Sequence, residues 1–257
     1  MTMSTLRIET DKRGVARLTL ARAAKHNAIN ATMMAELSAA INELGRDPQV
    51  RAIVLAAEGK SFCAGADLGW MQVQFAATRE ERINEARKFA LMLKALNEVP
   101  KFTLARVHGP VFGGGIGLIA ACDCIIASEV ASFALTEARL GLIPATISPY
   151  VMAKIGEHGA RRMISGRRFD VAEAMALGLV SKVAADLDSA IEAELEAVLQ
   201  CATSALAAGK SLFRAQGHTI DKSTIEDTIA RLADAWETPD AQERIAAFLA
   251  KSNEVRR

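Results

Sequence analysis

The sequence predicts an α/β protein in which a core of strands and helices over residues 1–186 precedes a helical region over residues 187–257. Two observations lead to this prediction. Short apolar runs of strand type alternate with longer segments of helical periodicity through the first two thirds of the chain, whereas only helical periodicity follows. Because no stretch rich in Ser, Pro or Gly separates the two parts, we expect them to fold as one unit.

The first half of the chain is predicted to form paired strands, a helix and further strands. Residues 6–9 and 15–20 alternate in polarity like two strands, with a turn at 11–14 between them. Asn30 is predicted to cap a helix that runs to Gly45, because Met, Leu and Ile recur there at helical spacing. The elements that follow are a strand at 50–57, a glycine-containing loop at 58–67, a charged helix at 78–97 and a strand at 102–107.

The second half of the chain begins with a glycine cluster and ends in helices. The helix after the glycines is predicted to be short and to end near Cys122, because strand-like sequence returns at Cys124. Asp170 and Glu173 begin another helix in the manner of a capping box, and Gly178 ends it. The other predicted elements are a strand at 133–135, a short helix at 149–155 and C-terminal helices at 189–208, 224–236 and 240–251.

Composition and charge narrow the possible classes of function. The 257 residues are 51% hydrophobic and 24% charged, as in ordinary globular proteins, and the net charge is +1. The lack of a basic patch disfavours nucleic-acid binding. We expect neither a signal peptide nor a membrane span, since no apolar run reaches about 18 residues. The 4 cysteines fit no disulfide framework and no zinc motif, which indicates reduced thiols in a cytoplasmic protein.

Two glycine-containing turns each follow an apolar strand. The first turn is Ala64-Gly65-Ala66, and the second is Gly113-Gly114-Gly115. Turns that follow neighbouring parallel strands meet at the same edge of the sheet, so one N–H from each turn can point at a single oxygen. Such a pair would form an oxyanion hole for an enolate or a thioester. The alternative is a pair of tight turns with close packing and no ligand.

Glu137 is the candidate general acid–base. It follows a short apolar strand and precedes an apolar loop, and such surroundings raise the pKa of a carboxyl group. The alternative interpretation is a surface glutamate at the end of a strand. Neither a Gly-x-Ser-x-Gly nucleophile motif nor a metal-binding spacing of histidines accompanies it.

The glycine cluster also matches the dinucleotide-binding pattern G-x-G-x-x-A at residues 115–120. About eight residues separate Gly115 from the next predicted strand, which is too few for the crossover helix that a nucleotide-binding unit needs. No Gly-Lys-Ser/Thr follows the glycines, so a phosphate-binding loop of the P-loop type is excluded as well. We therefore do not expect a nucleotide cofactor at this site.

Five motifs, in the right order, resemble those of the crotonase superfamily, the enoyl-CoA hydratase/isomerase family, over essentially the whole chain. The first departs from the family at Ala21 and Ala23, where the family has Asn and Pro. The sequence around the glycines and Glu137 is most similar to bacterial hydratases of the methylglutaconyl-CoA type. The resemblance implies a spiral of strand-strand-helix units whose C-terminal helices pack in trimers, often paired as hexamers. The motifs lie at residues 20–28, 61–68, 108–123, 133–144 and 166–180.

The resemblance also implies roles for individual residues. Ala66 and Gly114 match the two backbone donors of the oxyanion hole, and Glu137 matches the acid–base glutamate. Phe248 and Lys251 resemble a C-terminal pair that contacts the CoA nucleotide of a neighbouring subunit. Coenzyme A is part of the substrate, so we expect neither a separate cofactor nor a metal. The other residues implied to bind the substrate or its CoA part are Lys25, Ala64, Asp67, Leu68 and Gly113.

Gly117 is the main departure from the family pattern. Two-glutamate hydratases have their second Glu three residues after the middle glycine, where this chain has Gly117 between Ile116 and Leu118. The resemblance implies an acyl-CoA lyase that adds water to, or removes it from, a 2-enoyl-CoA thioester. A Δ3,Δ2-enoyl-CoA isomerase or a decarboxylase that uses Glu137 alone is the enzymatic alternative. A weakly active CoA-binding or RNA-binding homologue is the alternative from another class.

Overall fold

The computed structural model describes residues 3–217 and 220–254. Its strands are β1 (Leu6–Thr10), β2 (Val15–Leu20), β3 (Ala52–Ala57), β4 (Phe102–Val107), β5 (Val111–Phe112), β6 (Cys124–Ala127), β7 (Ser132–Ala134), β8 (Phe169–Asp170) and β9 (Lys182–Val183). Its α-helices are α1 (Ala31–Arg46), α2 (Leu68–Ala76), α3 (Arg79–Glu98), α4 (Gly114–Ala120), α5 (Ser148–Met163), α6 (Val171–Ala176), α7 (Leu187–Gln200), α8 (Thr203–Gln216), α9 (Lys222–Glu237) and α10 (Pro239–Glu254).

The strands form two sheets, which confirms the predicted α/β class. The larger sheet has the order β1-β2-β3-β4-β6-β9, and the smaller has the order β5-β7-β8. Strands β1 and β2 pair antiparallel, whereas β2, β3, β4 and β6 are parallel neighbours. The chain segments that follow β3 and β4 therefore leave the same edge of the larger sheet, as the site prediction requires.

Helices α1 and α3 both begin at side chains that cap them, and Asn30 is the cap that the sequence predicts for α1. The Asn30 side chain accepts a hydrogen bond from the Met33 N–H at 2.9 Å. Thr78 and Glu81 form a reciprocal capping box at the start of α3. Each side chain satisfies a backbone N–H that has no partner within its own helix, and this fixes the first turn.

Three helical predictions need correction. The sequence pattern does not predict helix α2, because its own apolar residues are spread around the helix and give little amphipathic pattern. The local signal for its start is Asp67, whose carboxylate accepts hydrogen bonds from the Gly69 and Trp70 N–H groups. The predicted helix 149–155 extends to Met163 through a kink at Gly156. The predicted helix 189–208 is two helices, and the Arg51 guanidinium binds the carbonyls of Leu199 and Cys201 where α7 ends.

The C-terminal helices pack on the core, and two of them cover the segment that contains Glu137. Helix α7 packs on the larger sheet, with Ile191 and Leu195 against Val54 and Leu104. Trp236 of α9 and Ile245 of α10 cluster with Met71 and Leu142. The segment that contains Gly141 and the start of α10 lie so close together that a Cβ on Gly141 would be 2.7 Å from the Cα of Ala241. No helix among the described residues is both long and apolar enough to span a membrane.

Candidate active site

The two glycine turns lie side by side. The Phe112 N–H donates to the Cys63 carbonyl at 2.9 Å, and the Cys63 N–H donates to the Pro110 carbonyl at 3.2 Å. Gly65 and Gly113 have φ angles of +89° and +49°, which favour glycine. A Cβ on Gly65 would also lie 3.2 Å from the Phe112 carbonyl oxygen. The glycines therefore allow the two turns to adopt left-handed conformations in close contact.

Each turn presents a backbone N–H that has no acceptor among the described residues. The Ile29 N–H donates to the Gly65 carbonyl, and the Asp67 N–H donates to the Ile29 carbonyl, so Ile29 pairs with the residues on either side of Ala66. This pairing directs the Ala66 N–H away from Ile29. Gly114 is the first residue of α4, so its N–H has no partner within the helix. Both residues line one cavity of about 200 Å³. Two such donors on one cavity are compatible with an oxyanion hole.

Glu137 lies in the same cavity. It begins a short 3-10 helix, Glu137–Leu140, that directly follows β7. Its Oε2 is buried without a hydrogen-bond partner among the described residues, and its Oε1 would lie 3.1 Å from a Cβ on Gly113. Burial raises the pKa of the Glu137 carboxyl to about 7. The side chain can therefore exchange a proton near neutral pH.

The wall beside Gly117 is apolar. A Cβ on Gly117 would lie 2.3 Å from Cγ2 of Ile147, and Cδ1 of Leu93 would be 3.4 Å away. Ile147 lines the cavity and is buried. The Ile147 side chain occupies the space that a Cβ at position 117 would need. Position 117, where a second carboxylate would lie in a two-glutamate hydratase, therefore accommodates only glycine. Within the described part of the chain, Glu137 is the one carboxylate that lines this cavity.

Comparison with known proteins agrees with this geometry. The model of the family described as enoyl-CoA hydratase/isomerase matches residues 10–254. The chain belongs to the enoyl-CoA hydratase/isomerase family. A relative from Thermus thermophilus that bears an enoyl-CoA hydratase name is 34% identical over 251 residues, which are 95% of this chain and 98% of the relative.

Solved structures of the family share the fold. The crystal structure of an enoyl-CoA hydratase from Mycobacterium avium has a TM-score of 0.87 and 33% identity, covering 96% of this chain and 97% of that chain. One from Shewanella pealeana has a TM-score of 0.82 and 36% identity, covering 97% of this chain and 94% of that chain. These matches confirm the predicted crotonase-like fold and its helical C-terminal region.

The structure brings some of the predicted site residues together and leaves others apart. Ala64, Gly113 and Phe248 line the cavity together with Ala66, Gly114 and Glu137, and Phe248 does so from the same chain. Lys25 and Lys251 are exposed and lie outside its lining, and so does Leu68, which packs beside α9 and α10. Their predicted contacts with the CoA part of the substrate remain proposals.

Asp67 stabilises the start of α2 and the turn that precedes it. Its carboxylate caps α2 and forms an ion pair with Arg22 at 2.9 Å. Burial opposes its ionisation, but Arg22 and the capping N–H groups outweigh burial and hold the pKa of Asp67 below its usual range. These bonds fix the turn that carries Ala66, the residue immediately before it.

Sequence reasoning missed several residues that line the cavity. Gln74 lies on α2, Arg82 lies on α3, and Trp236 lies on α9. The local sequence pattern does not predict the helix that carries Gln74, and Arg82 is one charge among many on a charged helix. Among the described residues, no group of three or more His, Cys, Asp or Glu side chains could hold a metal ion.

The burial of Glu137 predicts that stability depends on pH. Its pKa is about 7 in the folded chain and 4.5 in its ordinary state, so the folded state binds the proton more tightly. The free energy of unfolding therefore falls as pH rises from 4.5 towards 7, and the total fall is about 3 kcal/mol once the pH is above 7. We expect Glu137→Gln to raise the free energy of unfolding by about 3 kcal/mol at alkaline pH and to change it little at about pH 4.

Urea unfolding at both pH values measures this difference. Glu129→Gln is the matched control, because Glu129 is exposed between β6 and β7. A stabilisation by Glu137→Gln that is the same at both pH values would contradict the proposed origin in the buried charge.

Proposed function

We propose that this protein adds water to the double bond of 2-enoyl-CoA thioesters and catalyses the reverse reaction. One observation carries the proposal: Ala66 and Gly114, whose N–H groups have no acceptor among the described residues, line a single cavity with the buried carboxyl of Glu137. Membership of the enoyl-CoA hydratase/isomerase family supports the assignment. Coenzyme A belongs to the substrate, and the reaction proposed below uses no further cofactor.

The proposed reaction uses Glu137 as base and then as acid. The thioester oxygen accepts hydrogen bonds from the Ala66 and Gly114 N–H groups. The Glu137 carboxylate removes a proton from water while the water oxygen bonds to C3, and the C2–C3 π electrons move towards the thioester oxygen as an enolate. Protonated Glu137 then gives its proton to C2, which restores the carboxylate and completes the addition of one water molecule.

The direct test is incubation with crotonyl-CoA, a short 2-enoyl thioester. We expect loss of the enoyl thioester absorbance and a product heavier by one water. An unchanged absorbance, together with conversion of a 3-enoyl-CoA into a 2-enoyl-CoA, would replace the hydratase assignment with the isomerase.

A Δ3,Δ2-enoyl-CoA isomerase is the second candidate. The observation that favours it is the apolar wall at Gly117 and Ile147, where a second carboxylate would otherwise help to position water. A single carboxylate can move a proton between C2 and C4 of the acyl group. Vinylacetyl-CoA distinguishes the two functions, because an isomerase converts it into crotonyl-CoA and the enoyl absorbance then appears and persists. A decarboxylase, which could use the same hole, would release carbon dioxide from a carboxylated acyl-CoA.

The pKa of Glu137 predicts the pH dependence of hydration. The base must be ionised, and burial raises its pKa to about 7. We therefore expect kcat/KM for crotonyl-CoA to fall about tenfold for each pH unit below that pKa and to level off above it. Initial rates between about pH 5 and pH 9 at subsaturating substrate measure this profile. A profile that stays level down to about pH 5, as a carboxyl with the ordinary pKa of 4.5 would give, would contradict the role of burial.

We further propose that the protein acts in the cytoplasm, in the catabolism of fatty acids or branched amino acids. We also propose that it assembles as a homotrimer or a homohexamer. In this proposal Lys25 and Lys251 contact the CoA nucleotide outside the cavity, which suits their exposed positions. Light scattering coupled to size-exclusion chromatography measures the assembly. A mass that stays at one chain, 27.4 kDa, would reject it.

A further inference from the structure

The turn that carries Ala66 is held by an ion pair that lies outside the cavity. Nη2 of Arg22 donates to Oδ2 of Asp67 at 2.9 Å, and the two side chains are 16% and 15% exposed. Neither residue lines the cavity. Neither side chain therefore touches an acyl group bound there, so an effect of the pair on the reaction acts through a neighbouring residue.

Arg22 joins the two chain segments that meet at this turn. Its Nη1 donates to the Ala28 carbonyl while its Nη2 binds Asp67. Ala28 directly precedes Ile29, which pairs with the residues on either side of Ala66. The guanidinium therefore bridges the segment that pairs with the turn and the residue that ends the turn, and this bridge helps to fix the direction of the Ala66 N–H.

Asp67 places a charge directly beside a donor of the oxyanion hole. Of the four residues that flank Ala66 and Gly114 in the chain, Asp67 alone is charged. Its Oδ1 caps α2 by accepting from the Gly69 and Trp70 N–H groups at 2.8 and 3.2 Å. Burial opposes its ionisation, but its ion-pair and hydrogen-bond partners hold the pKa of Asp67 below its usual range. The carboxylate is therefore negative wherever the Glu137 carboxyl can act as a base.

A negative charge at this position opposes the reaction unless another charge balances it. In the proposed reaction, charge develops on the thioester oxygen that the Ala66 N–H holds. Like charges close together in a largely buried site repel strongly, because little water screens them. Arg22 supplies the balancing charge, since its guanidinium and the Asp67 carboxylate together carry no net charge.

We propose that Arg22 is a positioning residue that directs the Ala66 N–H and cancels the charge of Asp67 beside the forming enolate. This inference rests on the proposed function, because it requires charge to develop on a thioester oxygen. An ion pair that only stabilises the turn would contribute equally to the free enzyme and to the transition state. The proposed role concerns the transition state, so its loss appears in kcat more than in KM.

Three variants separate the charge from the structure. Arg22→Met leaves the Asp67 carboxylate unbalanced, and we expect kcat for crotonyl-CoA to fall about tenfold to a hundredfold. Asp67→Asn removes the charge but keeps a side chain that caps a helix, so kcat should change by at most about threefold. The double variant Arg22→Met/Asp67→Asn should recover kcat to within about fivefold of the original, and the residual loss reports the lost bridge to Ala28.

A second pair of variants is milder and keeps a hydrogen-bond donor at position 22. Arg22→Lys retains the positive charge, whereas Arg22→Gln does not. We expect the lysine variant to have a kcat about tenfold higher than that of the glutamine variant. Equal kcat values for these two variants would overturn the inference even if Arg22→Met does not fold.

Arg106→Met is the matched control. Arg106 forms an ion pair with Asp188 at 2.8 Å, its side chain is 20% exposed, and it does not line the cavity. This variant should keep the original kcat, and thermal unfolding checks that every variant is folded. A double variant that is no more active than Arg22→Met, or an unchanged kcat in Arg22→Met, would also overturn the inference.

Infrared spectroscopy of bound butyryl-CoA separates this inference from the proposed function. Butyryl-CoA is saturated and is not hydrated, and hydrogen bonds from an oxyanion hole lower the stretching frequency of its thioester carbonyl. We expect this shift to be smaller in Arg22→Met and to recover in the double variant. A protein that shows this pattern but does not hydrate crotonyl-CoA would refute the hydratase function alone. A protein that hydrates crotonyl-CoA with the same kcat in Arg22→Met would refute the role of Arg22 alone.

Discussion

Replacing Glu137 with glutamine is expected to lower kcat for hydration of a 2-enoyl-CoA by about 10³- to 10⁴-fold. The loss lies at the upper end of what one acid–base group contributes, because the same carboxyl would both accept the proton from water and deliver it to C2. Glutamine keeps the shape and the burial of the side chain but cannot exchange that proton. Substrate binding should therefore change little, and the loss should appear in kcat rather than in KM.

Steady-state kinetics with crotonyl-CoA measure this loss. The exposed Glu129→Gln variant controls for a general effect of removing a negative charge. The pH-dependent stabilisation expected of Glu137→Gln provides a second control, since an inactive variant that is more stable than the original protein at alkaline pH has not lost activity by unfolding. A variant that retains more than about a tenth of the original kcat would show that another group moves the proton.

Replacing Gly114 with proline is expected to lower kcat/KM by about 10²- to 10³-fold relative to Gly114→Ala, because proline removes one donor of the oxyanion hole. Gly114 is the first residue of α4, a position where proline fits and where no intrahelical hydrogen bond is lost. Gly113, the residue before it, has φ 49° and ψ −122°, which is close to the mirror image of the extended conformation that a residue before proline prefers. Because glycine has no Cβ, it adopts either mirror image, and its conformation is therefore compatible with a proline at position 114.

The alanine variant makes this comparison specific. A Cβ at position 114 would lie 3.2 Å from Cδ1 of Ile29 and 3.2 Å from Cζ of Phe89, and both substitutions introduce that atom. The contacts of that Cβ are therefore common to both variants, and the difference between them reports the replacement of the N–H by the Cδ methylene of proline. Equal kcat/KM values for the proline and alanine variants would rule out Gly114 as a donor.

Sequence patterns predicted the elements that form the frame of the site. The alternating strands β1 and β2, the apolar strands β3 and β4 and the Asn30 cap all lie where the local sequence placed them. These elements depend on residues close together in the chain, whose spacing shows which face is apolar. The local pattern does not predict α2, because its residues form no continuous polar face. Nor does it show the break within 189–208, where Arg51 donates long-range hydrogen bonds to the carbonyls of Leu199 and Cys201.

The family of this protein, the two glycine turns and the position of Glu137 can all be predicted from the amino-acid sequence, since each depends on an ordered motif of specific residues. Three features appear only in the folded chain: Ile147 fills the space beside Gly117, burial raises the pKa of Glu137 to about 7, and Arg82 lines the cavity. Each of these features depends on the packing of elements that are distant in the chain, and the local sequence does not show which side chains such packing brings together.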